Sequence, residues 1–285
     1  MFEGFETTEI DTGEVTILVR HGGSGSPVLL LHGHPRTHAT WHRVAPLLVG
    51  DHAVVCPDLR GYGRSSKPPT TADHAPYAKR AMAGDCLALM RALGHDRFAV
   101  VGHDRGAYVA FRLAMDLPAA VARLAILDAV PIGEALARCD ARFAASWWHW
   151  FFLGQTAKPA ERAINADPET WYGYGPEPMG AEAYADYLRA IHDPATVHAM
   201  CEDDRAGPGL TAPTTKPTVS RGAASPARRS SSGRRETTRR ISTAIRSPSG
   251  ATGRTTFAAA RSTAATTWRR RRRKCSWPPC APFCR

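Results

Sequence analysis

Gly102-His103-Asp104-Arg105-Gly106 constrains this chain more than any other five residues. They follow an apolar run of β character, Phe98-Ala99-Val100-Val101, and open a helix-like stretch, Arg105–Leu117. A Gly-x-nucleophile-x-Gly pentapeptide between a strand and a helix forms a nucleophile elbow. The turn is so tight that a Cβ beside the nucleophile clashes, hence the two glycines. The residue at its tip is Asp104, not a serine. A carboxylate there attacks carbon by displacement and leaves an ester on the enzyme itself. The competing reading of Asp104 is a helix N-cap.

The surroundings suit that motif. Apolar β runs lie at Val15–Val19, Val28–Leu31, Ala53–Cys56, Phe98–Val101 and Leu124–Leu127, with helical periodicity over Tyr77–Leu93 and Arg105–Leu117. Such alternation predicts an α/β fold with a mostly parallel sheet covered on both faces. Residues 134–205 are aromatic and helical, as in Ser146–Phe152, Ala181–Ile191 and Ala195–Cys201, and read as a lid. From Thr211 the periodicity stops in a stretch rich in Arg, Ser, Thr, Ala and Pro, for which disorder is the expectation. The expected organisation is a core over 1–133, a helical cap over 134–209 and a basic low-complexity tail over 210–285.

Charge divides the chain in the same way. Residues 211–285 hold 18 of the 37 Lys and Arg but one acid, Glu236, so the excess of +11 belongs to the tail. The body before it is acidic, which argues against a nucleic-acid surface there. The first residues lack the basic and apolar regions of a signal peptide, and apolar runs are too short for a membrane span. Seven cysteines without a CxxC spacing fit a reducing cytoplasm.

Three further motifs bear on Asp104. His32-Gly33-His34-Pro35 follows the second β run, and such a turn brings a backbone N–H beside the elbow. The N–H groups of His34 and Arg105 are therefore the expected oxyanion hole, with His32 a scaffold residue. Asp128 ends the run Leu124–Leu127, where an acid that orients a catalytic histidine belongs. Pro57-Asp-Leu-Arg-Gly-Tyr-Gly-Arg-Ser-Ser-Lys-Pro68 does not match a phosphate-binding loop, so Asp58 and Arg60 read as structural.

Taken together, HGHP, PDLRGYGRSSKP, GHDRGAYVAFRLA, LAILDAVP, WWHWFF and HAMCEDDRAG resemble the haloacetate (fluoroacetate) dehalogenases, relatives of the epoxide hydrolases in the α/β-hydrolase superfamily. The resemblance covers residues 1 to about 210 and implies an α/β-hydrolase fold with a helical cap. It also implies that Arg105 holds the substrate carboxylate, that His149 and Trp150 hold the leaving halide, and that a late histidine oriented by Asp128 activates water. It implies a small-molecule substrate, no cofactor, no metal and no membrane, and is compatible with a homodimer. An epoxide or other small-ester hydrolase of the same fold is the alternative, with lid tyrosines Tyr172, Tyr174, Tyr184 and Tyr187 as activators of an epoxide's ring oxygen. Two positions depart from the pattern: Tyr108 stands in place of a second arginine, and Asp204 in place of a tyrosine in C-E-D-Y-R.

The late histidine is absent, since all 12 histidines lie at or before His198. An out-of-frame tail accounts for this. Leu210–Gly233 can be written in GC-rich codons that, one nucleotide out of phase, encode a segment ending in CPALVLWG, a buried strand. Thr263–Cys275 treated alike yields DCGHYLAEEAPEV, with a histidine across the codons of Ala265 and Thr266. On this reading the fold lacks its last two strands and last helix. The reading from another class is a non-catalytic protein whose cationic run, Arg269–Lys274, binds nucleic acid.

Overall fold

The computed structural model describes residues 1–207 and the backbone of 257–260. Seven strands form one sheet: β1 (Glu6–Asp11), β2 (Thr16–Gly22), β3 (Ser26–Leu31), β4 (His52–Pro57), β5 (Phe98–His103), β6 (Val121–Leu127) and β7 (Phe257–Ala260). Their spatial order is β1-β2-β4-β3-β5-β6-β7. The first two pairings are antiparallel and the rest parallel. No strand was expected in the tail, yet Phe257–Ala260 pairs with Leu124–Leu127 of β6. The sheet therefore has one short strand beyond β6, in a stretch where no periodicity predicts one. The rest of the tail, with Arg269–Lys274, Ala265 and Thr266, lies outside the described residues.

Strand alternation distributes the core. Leu29 and Leu31 of β3 pack with Val100, Val109, Leu113, Met82 and Leu89 on one face of the sheet. Val28 and Leu30, one residue out of step, pack with Val54, Cys56, Trp41 and Ala45 on the other. The helices covering the sheet are α1 (Ala45–Leu48), α2 (Lys79–Ala92) and α3 (Arg105–Asp116). The helical stretch expected to be the lid follows β6 as α4 (Ile132–Ala137), α5 (Ala141–Ser146), α6 (Trp148–Leu153), α7 (Glu161–Ala166), α8 (Pro168–Tyr172), α9 (Ala181–Ile191) and α10 (Pro194–Ala206). No helix among the described residues is long and apolar enough to cross a membrane.

Register is what assembles the site. Leu31 of β3 pairs with Gly102 of β5, and His103 of β5 pairs with Leu127 of β6. The residues just past these pairs are His32-Gly33-His34, Asp104 and Asp128. Three motifs spread over a hundred residues thus leave the sheet side by side at its carboxyl end, where α/β sheets bind ligands.

Candidate active site

Asp104 sits between β5 and α3 with φ 51° and ψ −116°, a backbone conformation that side chains other than glycine rarely adopt. Its amide donates to Leu127 O at 3.2 Å. Neighbouring glycines make the turn feasible. A Cβ on Gly102 would lie 2.3 Å from Gly106 O, and one on Gly106 would lie 2.3 Å from His32 O. Asp104 occupies the N-cap position of α3, but its side chain caps nothing. Instead Oδ1 accepts the His34 N–H at 2.8 Å. The geometry removes the N-cap reading and brings the elbow and the HGHP turn together.

The electrostatics suit a nucleophile. Burial raises the Asp104 pKa, but the Arg105 charge and the N–H groups of His34 and Arg105 more than offset this. The carboxyl therefore ionises below its ordinary value, because charge-stabilising donors outweigh desolvation. The His34 imidazole is held neutral: burial, then the Arg105 charge, lower it to about 3. His32 is fully buried, and its Nε2 accepts the Leu59 N–H at 3.0 Å, a scaffold role.

Arg105 is buried, with its guanidinium 5.9 Å over the Trp150 ring. Its partner is Asp204 of α10, whose Oδ1 it contacts as an ion pair. Asp204, which stands where the resembled pattern has a tyrosine, is thus turned onto Arg105. His149 is half-buried beside Trp147 and Trp148, and its pKa is lowered by burial and by Arg105. Trp150 is buried and packs edge-on against Tyr108. Asp128 is exposed at the end of β6 with φ 55°, and no histidine among the described residues bonds to it.

Of the lid tyrosines, Tyr172 packs on the His34 ring at 5.5 Å. Tyr174, Tyr184 and Tyr187 instead pack on one another, with Arg36 over Tyr174 and Tyr187. Asp58 accepts from His38 N, His38 Nδ1 and Arg64 N, while Arg60 binds Asp85, Glu14 and Pro76 O. Both are structural, as expected. Sequence reasoning missed Lys79 at the start of α2, buried and ion-paired with Asp203, which also accepts the Tyr62 hydroxyl at 2.7 Å. The signal available was the excess of acid in Glu202-Asp203-Asp204, a run that needs buried cations wherever it is enclosed.

Elbow, facing amide donor and mostly parallel sheet define a hydrolase of the α/β class. The comparisons place the chain in the same class. The model of the α/β hydrolase fold family matches residues 26–195, and the chain belongs to that family. A fluoroacetate dehalogenase of Burkholderia sp. is 47% identical over 215 residues, 73% of this chain and 71% of that protein. A soluble epoxide hydrolase of Corynebacterium sp. (strain C12) is 36% identical over 193 residues, 63% of this chain and 65% of that protein. The crystal structure of ALR0039, an α/β-hydrolase-fold protein of Nostoc sp PCC 7120, superposes with a TM-score of 0.71 at 45% identity, covering 73% of this chain and 74% of that one.

Proposed function

We propose that the chain hydrolyses a small electrophile of the haloacetate class through an ester on Asp104. In the first step an Asp104 oxygen forms a C–O bond to the substrate carbon as the carbon–halogen bond breaks. Halide leaves with the bonding electrons. In the second step water attacks the ester carbonyl, and negative charge develops on an oxygen of Asp104 itself. The observation that carries this reading is the 2.8 Å donation of His34 N–H to Asp104 Oδ1. Oxyanion donors belong on the nucleophile's own carboxyl only in this chemistry, because in acyl transfer they face a substrate oxygen. Arg105, His149 and Trp150 beside the carboxylate support a small substrate that expels a halide.

The second step needs a base. Asp128 stands at the strand end where it orients one, but no histidine follows His198. Loss of a general base costs about 10²–10⁴-fold. The chain therefore accumulates the ester. Incubation with chloroacetate followed by intact and peptide mass spectrometry is the test. A lasting adduct on Asp104 is expected, and sustained multiple turnover refutes the reading of the second step. The natural codons beyond Leu210 test the out-of-frame reading of the tail: no histidine in the alternate phase refutes it. Epoxide opening is the second reading, favoured by Tyr172 against the His34 ring, and diol formation distinguishes it.

A further inference from the structure

We infer that Asp204 is a specificity-determining residue that sets the charge class of the substrate: by occupying the Arg105 guanidinium it makes the site favour an uncharged electrophile over a carboxylate of the same shape. The inference rests on the Asp104 ester proposed above and refines which substrate that ester comes from.

Four consecutive charged residues of α10 are buried, and three have partners of their own. Glu202 binds His74 at 2.7 Å and Arg205 at 2.7 Å. Asp203 takes Lys79 and the Tyr62 hydroxyl. Arg205 forms a paired bond to Glu161 at 2.6 and 2.8 Å. These contacts account for the other three charges and leave Asp204 to Arg105. Asp204 has no exposed surface, and among the described residues Arg105 is its sole counter-ion. A carboxylate held by its helix against a guanidinium is the arrangement that a bound substrate carboxylate would make for itself.

Among the described residues beside Asp104, no spare cation remains for a second carboxylate. Lys79 is committed to Asp203. One turn past the nucleophile stands Tyr108, a buried phenol whose pKa burial pushes up. His149 is held toward its neutral form by burial and by Arg105. An entering haloacetate therefore meets two carboxylates, Asp104 and Asp204, around one guanidinium. Like charges placed together in this way act as an element that rejects the wrong partner. An uncharged electrophile leaves the Arg105–Asp204 pair intact and still reaches Asp104.

Chloroacetate and chloroacetamide differ in charge at nearly equal size, and either labels Asp104 by forming a C–O bond as chloride leaves with the C–Cl electrons. Labelling of the full chain is followed by peptide mass spectrometry, so that adducts on the exposed thiol of Cys139 are counted separately. The ratio of the two labelling rates is compared between proteins, which cancels the intrinsic reactivity of the probes. Asp204→Asn shifts the ratio toward chloroacetate by roughly 10- to 100-fold, Asp204→Ser shifts it likewise, and Asp204→Glu keeps the native ratio. In the native chain, acetamide protects Asp104 from labelling at lower concentration than acetate does, a readout that needs no variant. A ratio unchanged within about twofold in Asp204→Asn, or better protection by acetate, overturns the inference while leaving the ester reading intact. Absence of Asp104 labelling by both probes, equal to Asp104→Asn, overturns the ester reading and this inference with it.

Discussion

Gly33→Ala separates the position of the Asp104 carboxylate from everything else in the fold. A Cβ on Gly33 would lie 2.5 Å from both Cβ and Oδ1 of Asp104 and 2.9 Å from its Cγ. Carbon contacts are comfortable at about 3.5–4.0 Å, so the two groups must part by roughly 1 Å. Asp104 cannot yield through its backbone, which Gly102 and Gly106 hem in and Leu127 O anchors. Either its side chain rotates away from the His34 N–H, or the HGHP turn recedes and takes that donor with it. Both lose a hydrogen bond to a charged acceptor, worth about 1.5–3 kcal/mol. A misplacement of about 1 Å costs on the order of 10²-fold in rate, which agrees with that energy. Labelling of Asp104 by chloroacetamide, timed by peptide mass spectrometry, therefore slows about 10²-fold while the circular dichroism spectrum is retained. Gly84→Ala is the control: it lies inside α2 with open space around it, so it leaves the rate alone and adds about 0.5–1 kcal/mol of stability. A folded Gly33→Ala protein that labels within threefold of the native rate refutes the argument.

Other expectations follow from buried charge. Lys79→Met strands Asp203 in the interior and lowers stability by about 3–5 kcal/mol, read from the urea midpoint, and adding Asp203→Asn restores most of it. Acid weakens the fold through His34. Folded, it stays neutral down to about 3, whereas the unfolded chain protonates it near pH 6.5. Its contribution is complete above about pH 6.5 and is lost as pH falls, at about 1.4 kcal/mol per unit. Asp104, depressed in the folded state, loses its own contribution lower, as pH falls through and below the ordinary carboxylate value. Urea midpoints that stay level from pH 7.5 to 5 contradict this, and His34→Asn should flatten the slope.

What the sequence disclosed was local chemistry with a fixed frame. The elbow, the HGHP turn and Asp128 are each written within a few residues, and parallel pairing of the strands before them puts them together. β1 left no signal, because Glu6–Asp11 is a polar edge strand with only one half-buried face. β7 left none either: Phe-Ala-Ala-Ala carries no β-branched residue. The partners of α10 were illegible for a different reason. Asp203 and Lys79 are 124 positions apart, and Glu202 and His74 are 128 apart. Ion pairs across such distances leave no period in the chain, so Asp204 could be recognised as unusual but not matched with Arg105.

That pairing alters what the lid does. A lid is usually argued as a cover that excludes water, yet here α10 carries charge into the core at each of four successive positions. Lys79, Arg105 and His74, which it engages, belong to the core before β6, whereas Glu161 belongs to the lid itself. Withdrawing α10 would unpair Lys79 and Arg105 in one movement, at several kcal/mol for each buried charge left alone. The seat of α10 and the charge beside Asp104 are therefore one quantity. A substitution that loosens the helix should change how Asp104 ionises, and one that discharges Arg105 should loosen the helix. A double-mutant cycle between Lys79→Met and Asp204→Asn measures this directly. The two side chains bind different partners on one helix, and a coupling energy indistinguishable from zero would mean that the helix does not carry the connection.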